Sequence, residues 1–202
     1  MIKLYYKAGT CSLASHITLL EAGLKFTAIS VDLATHQLAD GSDYYQINPT
    51  GMVPLLVLEN GERLSEGPAI LQYLADQAPE RQLAPASGTM ERYHLQETLN
   101  FIATEIHKSY GPLFRSGESD AVKAAALQKL RKMYTLLNQK LSQQPYLGGE
   151  HFGVADAYLF TTLGWGQFVK MDFSGLDALQ AFIQRVKDRP SVREALTAEG
   201  QV

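Results

Sequence analysis

The hydrophobic pattern at the start of the chain predicts a strand, a helix and a second strand. Ile2 to Tyr6 is a short apolar and aromatic run of the kind that forms a buried strand. Apolar residues then recur at helical spacings of four, three and four: Leu13, Ile17, Leu20 and Leu24. Phe26 to Leu33 is rich in β-forming residues and predicts the second strand. Together these elements predict one βαβ unit.

A hairpin is predicted further along the chain. After a polar loop over His36 to Gly51, the apolar run Leu55 to Leu58 is separated from Arg63-Leu64 by Asn60-Gly61. Asn-Gly in this setting is typical of a two-residue turn of type I′, in which both residues adopt a positive φ. The two flanking strands are therefore expected to pair antiparallel.

A change of pattern indicates a domain boundary. A helical pattern after Glu66-Gly67-Pro68 ends at Ala78-Pro79, and Pro79 to Gly88 has the composition of a linker. Beyond it the strand signals vanish, and helical periodicity predicts about five helices. The sequence thus predicts an α/β domain over residues 1–80 and an all-α domain over residues 88–202.

Composition and charge narrow the class of protein. The 202 residues are 46% hydrophobic and 19% charged, which is typical of a globular protein and excludes disordered and collagen-like chains. A net charge of -3 disfavours binding to nucleic acid or to anionic lipid. The N-terminal residues lack the apolar core of a secretion signal, and no apolar run has membrane-spanning length, so we expect a cytoplasmic protein.

Cys11 is the only cysteine, which excludes an internal disulfide and disfavours a zinc site. It lies between the first strand and the first helix, where free N–H groups and the helix dipole favour a thiolate and a pKa below ~8.5. A buried, unreactive cysteine is the alternative, but a Gly-Thr-Cys-Ser turn favours a reactive thiol. The stretch Cys11 to Ala14 lacks the second cysteine needed for dithiol exchange.

Two short segments present backbone groups that suit a ligand. Val53-Pro54 precedes a strand, where the proline is either cis in a tight turn that exposes the Val53 N–H and C=O, or trans at the first strand position. Glu66 and Gly67 begin a helix whose free amides suit a carboxylate. Glu66 is also explained as an ordinary acid at a helix start.

Polar residues share one face of the first helix in the second domain. Asn100, Thr104 and His107 recur at i, i+4 and i+7, away from the apolar stripe. Such a face usually meets water, so only His107, followed by Lys108, suggests a site. Asp156 is placed to cap the start of a later helix.

Five segments of the chain resemble the glutathione S-transferases, and most closely their bacterial beta class. The segments are Lys7 to Thr18 (KAGTCSLASHIT), Asn48 to Pro54 (NPTGMVP), Ser65 to Ala75 (SEGPAILQYLA), Asn100 to Lys108 (NFIATEIHK) and Phe152 to Phe160 (FGVADAYLF). The resemblance covers essentially the whole chain. It implies a thioredoxin-like N-terminal domain followed by an all-helical C-terminal domain.

The resemblance also implies a function and a first set of site residues. It implies a detoxification enzyme that conjugates reduced glutathione to small hydrophobic electrophiles. The enzyme is expected to be a homodimer and to use no metal. Cys11 is placed beside the glutathione sulfur, with which it can form a mixed disulfide. Val53 pairs its backbone with the cysteinyl part of glutathione, with Pro54 cis, while Glu66 and Gly67 hold the γ-glutamyl end.

The resemblance assigns further contacts to the helical domain. His107 is expected to act in catalysis and, with Lys108, Asn100 and Thr104, to contact glutathione. His36 stands where the class commonly has lysine, and a mostly neutral histidine implies weaker and more pH-dependent glutathione binding. The expected electrophile pocket is lined by Tyr6, Ala8, Tyr110, Leu113 and Phe114.

Two other functions remain open on the sequence. In the first, the protein is a glutathione-dependent thiol-disulfide oxidoreductase that uses Cys11 as a monothiol. In the second, it is a non-catalytic protein that binds apolar ligands. Conjugation ranks first because every segment that the class uses to contact glutathione is present.

Overall fold

The computed structural model describes all 202 residues and divides into two compact units. The first unit comprises residues 1–84 together with 189–202, and the second comprises residues 85–188. The C-terminal segment, which the sequence pattern assigned to the second domain, therefore packs within the first unit. No helix of the structure combines the length and apolar character needed to cross a membrane.

A five-stranded sheet forms the centre of the first unit, in the order β3-β2-β1-β4-β5. The strands are β1 (Ile2–Tyr6), β2 (Phe26–Asp32), β3 (Gln37–Leu38), β4 (Leu55–Val57) and β5 (Arg63–Ser65). β1 and β2 run parallel, which confirms the predicted βαβ unit, and the other pairs are antiparallel. β3 lies inside the predicted loop, because two residues are too short to leave a periodic pattern.

Eight α-helices complete the chain. They are α1 (Ser12–Glu21), α2 (Gly67–Asp76), α3 (Met90–Phe101), α4 (Gly111–Phe114), α5 (Asp120–Leu141), α6 (Val154–Gly164), α7 (Asp177–Lys187) and α8 (Pro190–Ala198). Neighbouring residues of β1 face opposite sides of the sheet. Leu4 packs with residues of α1 and α2, whereas Tyr5 packs with Val31 and Tyr44 on the other side.

The β4–β5 hairpin is antiparallel as predicted, but its turn is of a different type. The Gly61 N–H donates to the Leu58 carbonyl at 3.0 Å, and the Leu58 N–H donates to the Glu62 carbonyl at 2.8 Å. Only Gly61 has a positive φ, of 86°. The connection is therefore a type I turn followed by a left-handed glycine, not the predicted type I′ turn. The Asn60 Oδ1 accepts from the Glu62 N–H at 3.0 Å, which stabilises this longer turn.

The second unit contains helices and no strands, which confirms the predicted all-helical character. α3 continues into a π-helical turn over Ile102–Ile106 and a 3-10 turn over His107–Tyr110 before α4 begins. Asp156 caps α6 as predicted, because its Oδ2 accepts from the Gly153 N–H at 2.8 Å. Its Oδ1 also accepts from the Leu147 N–H, so one carboxylate anchors the loop before the helix.

Ionic contacts anchor the C-terminal segment within the first unit. The Arg189 guanidinium donates to both carboxylate oxygens of Glu21, at 2.6 and 2.8 Å, and the Ser191 hydroxyl bonds to the same carboxylate. Glu21 closes α1, so this bidentate pair holds the start of α8 against α1. Charge pairs between distant segments leave no periodic signal, which explains why the sequence pattern did not place this segment.

Replacing Glu21 with glutamine tests this anchor. Burial raises the pKa of Glu21, but hydrogen bonds from Arg189 and Ser191 outweigh burial, so the pKa lies below its ordinary 4.5. A carboxylate with a lowered folded-state pKa stabilises the fold above its unfolded pKa and loses that contribution as the pH falls through the folded value. We expect Glu21→Gln to lower the free energy of unfolding by about 2 kcal/mol at pH 7. In urea titrations, the difference from wild type should shrink below pH 4.5.

Glu59→Gln is the matched control for this experiment. Glu59 is an exposed carboxylate that pairs with the N-terminal amine at 2.5 Å, and exposed pairs contribute little to stability. We expect this variant to unfold like the wild type at neutral pH. Equal losses of stability in the two variants would contradict the anchoring role of Glu21.

Candidate functional site

Cys11 occupies the N-cap of α1, at the end of the loop that follows β1. Its Sγ lies 3.4 Å from the Val53 carbonyl oxygen, to which the thiol donates. The loop is shaped by its own hydroxyl groups: the Lys7 N–H donates to Ser12 Oγ at 3.2 Å, and Thr10 Oγ1 donates to the Lys7 carbonyl at 2.9 Å. The thiol is therefore directed at the segment before β4.

The electrostatic surroundings of Cys11 keep its thiol protonated. Burial, as the larger cause, and the negative charge of Glu66 raise the pKa of Cys11, which lies at about 11 instead of 9.0. Hydrogen bonds from the Cys11 and Ser12 backbone lower the pKa but do not offset burial. The prediction of a lowered pKa at this helix start is therefore wrong. Loss of hydration outweighs the stabilisation that the helix terminus gives to a thiolate.

The segment before β4 contains the cis peptide that the resemblance implied, between Val53 and Pro54. Two buried side chains hold the residue before it. The Tyr44 hydroxyl and the Asn48 amide both donate to the Met52 carbonyl at 2.8 Å. Neither Tyr44 nor Asn48 could be predicted as a support for this segment, because neither lies on an element long enough to show a periodic hydrophobic pattern.

Glu66 is exposed and precedes α2 with an unusual backbone conformation. Its φ is 67°, in a region that non-glycine residues rarely adopt, and such residues are concentrated at functional sites. Gly67, the first residue of α2, has open space where a Cβ would lie. A side chain at position 67 is therefore sterically acceptable. The structure brings Cys11, Val53 and Glu66 into one neighbourhood of the first unit.

His36 lies in the loop before β3 and packs against Tyr45 and Gly51. Its ring lies against that of Tyr45 at an interplanar angle of 33° with centroids 4.4 Å apart, and its φ is 54°. A Cβ at Gly51 would lie 2.8 Å from His36 Nδ1, so this glycine is required for the packing. The Nδ1 atom of His36 is buried and has no hydrogen-bond partner.

The residues of the predicted polar face in the second unit differ in their exposure to solvent. Asn100 and Thr104 are exposed, with the Thr104 hydroxyl donating to the Asn100 carbonyl at 3.0 Å. His107 is half-buried, with its Nδ1 2.7 Å from the Tyr158 hydroxyl oxygen. The prediction that all three share one solvent-facing stripe is wrong for His107. The π-helical turn over Ile102–Ile106 is wider than a turn of α-helix, so it rotates His107 off that stripe.

The imidazole of His107 is neutral at physiological pH. Burial, as the larger cause, and the positive charge of the exposed Lys108 together lower its pKa from 6.5 to about 4. Its ring also meets Trp165 edge-on, with centroids 4.8 Å apart. Tyr158 and Trp165 are therefore contacts of His107 that sequence reasoning missed, and only their position in and after the helix that Asp156 caps could have suggested them.

Aromatic packing corrects one residue of the expected electrophile pocket. Tyr110 is 1% exposed, and its hydroxyl bonds to the Tyr134 hydroxyl at 2.8 Å. Phe114 stacks on Tyr110 with centroids 5.9 Å apart and is 53% exposed. Tyr110 is therefore buried beneath Phe114 and does not itself line a surface pocket.

The structure contains no group of three or more His, Cys, Asp or Glu residues that is arranged to hold a metal ion.

Comparison with known proteins identifies the class. The model of the glutathione S-transferase N-terminal domain matches residues 9–77, and that of the C-terminal domain matches residues 101–190. The chain is 48% identical to the glutathione S-transferase GstA of Escherichia coli O157:H7, covering 98% of this chain and 99% of that protein. The chain thus has a thioredoxin-like unit and a helical unit, and each matches the corresponding domain of the glutathione S-transferases. This is the glutathione S-transferase fold.

Two solved structures refine the assignment. A bacterial beta-class glutathione S-transferase from Sphingomonas chungbukensis has a TM-score of 0.95 at 46% identity, covering 99% of this chain and 100% of that one. A sphingomonad glutathione S-transferase complexed with glutathione has a TM-score of 0.95 at 44% identity, with the same coverage. The chain belongs to the glutathione S-transferase family, in its bacterial beta class.

The single thiol of the chain makes the protonation state of Cys11 directly measurable. We expect the ultraviolet absorbance of the thiolate, taken as the difference between wild type and Cys11→Ala so that the ten tyrosines cancel, to rise with a midpoint near pH 11. Alkylation by iodoacetamide should be slow at neutral pH. Glu66→Gln should lower the midpoint because it removes a nearby negative charge. Glu62→Gln, which removes an exposed charge from the β4–β5 turn, is the control and should leave it unchanged. A wild-type midpoint at or below 9.0 would contradict the prediction.

Proposed function

We propose that this chain conjugates reduced glutathione to small hydrophobic electrophiles. The observation that carries the proposal is the grouping of the Cys11 thiol, the Val53 backbone at a cis-proline and Glu66 in one neighbourhood. The sphingomonad relative, which shares the fold at 44% identity, was solved as a complex with glutathione. We further propose a cytoplasmic, homodimeric enzyme.

The proposed glutathione contacts in the first unit follow the chemistry of each group. The backbone of Val53 pairs with the cysteinyl part of the peptide in the manner of strand addition. The γ-glutamyl end lies at the start of α2, where Glu66 meets its ammonium group and the Gly67 amide meets its carboxylate. His36 contacts a carboxylate of the peptide through Nε2.

Cys11 has the role of a neutral hydrogen-bond donor in this proposal. Its thiol already donates to a carbonyl, and the same S–H group can donate to the glutathione sulfur as that sulfur becomes anionic. His107 supplies a second neutral donor from the second unit. Lys108, Asn100 and Thr104 are the exposed polar groups near it in sequence and complete the proposed contacts.

The protonation of Cys11 favours conjugation over thiol-disulfide exchange. Attack on a disulfide requires a thiolate, and a thiol with a pKa of about 11 is ionised in about one molecule in ten thousand at pH 7. The proposed conjugation requires only the neutral thiol. The oxidoreductase function is therefore the second candidate, with mixed-disulfide formation at Cys11 as its distinguishing property.

A conjugation assay with a chloronitrobenzene substrate tests the proposed function. We expect Cys11→Ala to retain most of the activity but to form no mixed disulfide with oxidised glutathione, because no other thiol is present. His107→Ala should lose about tenfold in kcat, the effect of one lost hydrogen bond to a charged group. The transferase function fails if the wild-type protein binds glutathione but shows no conjugation above the uncatalysed rate.

The histidine at position 36 allows a test of the carboxylate contact. We expect His36→Lys to lower the KM for glutathione about threefold, because a lysine ammonium group brings a full positive charge to the carboxylate. His151→Lys makes the same replacement at an exposed position of the second unit and serves as the control. Equal changes in KM for both variants would indicate a general effect of charge and contradict a contact at His36.

A further inference from the structure

Tyr158 makes a short contact to His107 that the proposed chemistry leaves unexplained. It lies in α6, which is buried along almost its whole length, and only 3% of its surface is exposed. Its hydroxyl oxygen is 2.7 Å from His107 Nδ1. A tyrosine hydroxyl inside a helical core has to find a polar partner, and here that partner is the histidine.

The surroundings of His107 decide the direction of this hydrogen bond. The ring is neutral, since burial and the adjacent Lys108 oppose a second proton. A neutral imidazole has one nitrogen that donates and one that accepts. A phenol hydroxyl is the stronger acid of the two partners, so it donates and Nδ1 accepts. The single imidazole proton then resides on Nε2.

The plane of the imidazole ring is also fixed by packing. Trp165 meets the ring edge-on, with an interplanar angle of 70°, and the Tyr158 ring meets it at 82°. Tyr158 lies in the middle of α6 and Trp165 follows α6 directly, so both aromatic neighbours of the histidine come from one continuous segment. Contacts with this segment fix the ring plane and with it the direction of the Nε2–H bond.

We infer that Tyr158 is a positioning residue, which holds His107 as its Nε2–H tautomer and aims that N–H at an anionic centre of the reacting pair. The inference rests on the proposed function, in which His107 meets the ligand. The recipient of the hydrogen bond is a group that gains negative charge, such as a thiolate sulfur or the polar end of the electrophile. A donor with the proton on Nδ1 would face Tyr158 and leave Nε2 as a lone pair, which repels such a group.

Tyr158→Phe removes the hydroxyl and keeps the ring. In the wild-type protein labelled with nitrogen-15 at histidine, long-range proton–nitrogen spectra should show a protonated Nε2 and an unprotonated Nδ1 for His107. The resonances are assigned by their loss in His107→Gln. In Tyr158→Phe we expect a mixture of both tautomers, together with a fall of about fivefold to tenfold in kcat and an unchanged KM for glutathione.

Thr161→Val is the matched control for the loss of a buried hydroxyl. Thr161 lies on the same helix, is 2% exposed, and donates to the Ala157 carbonyl at 2.9 Å without reaching His107. Valine has nearly the same shape. We expect this variant to keep the wild-type tautomer and kcat even if it is slightly less stable, which separates a positioning effect from a general loss of stability.

The outcomes distinguish this inference from the proposed function. A wild-type His107 with its proton on Nδ1 overturns the inference before any variant is made, so it stays testable even if Tyr158→Phe does not fold. A Tyr158→Phe variant with a changed tautomer but wild-type kcat overturns the role in the reaction. Absence of conjugation by the wild type, with the Nε2–H tautomer present, overturns the proposed function and leaves the tautomer assignment standing.

Discussion

A buried carboxylate near the C-terminus secures the loop that carries the Cys11 thiol. Glu199 accepts from His16 Nδ1 at 3.0 Å and from the Gly9 N–H at 3.3 Å, and the side chains of Glu199 and His16 are 0% and 4% exposed. A carboxylate in such a place is costly unless its oxygens are paired. Gly9 has a φ of 76°, so the loop depends on a backbone conformation that glycine tolerates. The arrangement of Cys11, Val53 and Glu66 therefore depends on a contact made from the other end of the chain.

Burial sets the charge of both the Cys11 thiol and the His107 imidazole. The pKa of the Cys11 thiol is raised and that of the His107 imidazole is lowered, and loss of hydration is the main cause in each case. The consequence is the same for an acid and for a base, because burial always favours the uncharged form. A site of this kind presents neutral donors whose hydrogen bonds strengthen as the ligand becomes anionic, and the donors themselves stay uncharged near neutral pH.

Regular side-chain patterns allowed much of the fold to be predicted. The apolar stripe of α1, the hairpin at Asn60-Gly61 and the capping residue Asp156 all follow local rules that operate within a few residues. The site was harder to predict, because its decisive contacts join residues far apart in sequence. The pairing of His107 with Tyr158 depends on a π-helical turn, which no period of 3.6 residues reveals. Burial likewise reversed the expected pKa of Cys11, since the depth of a side chain is a property of the whole unit.

The two ends of the chain meet within the first compact unit, and this has a consequence for synthesis on the ribosome. The strands and both helices of residues 1–84 leave the ribosome early, but residues 189–202 emerge only after the whole second unit. Until then Glu21 lacks Arg189, and His16 lacks the carboxylate of Glu199. An N-terminal domain usually folds as a unit before the rest of the chain is made. Here the first unit lacks residues 189–202 at that stage, so its folding is incomplete. Residues 189–202, which are translated after the second unit, therefore complete the unit that was made first.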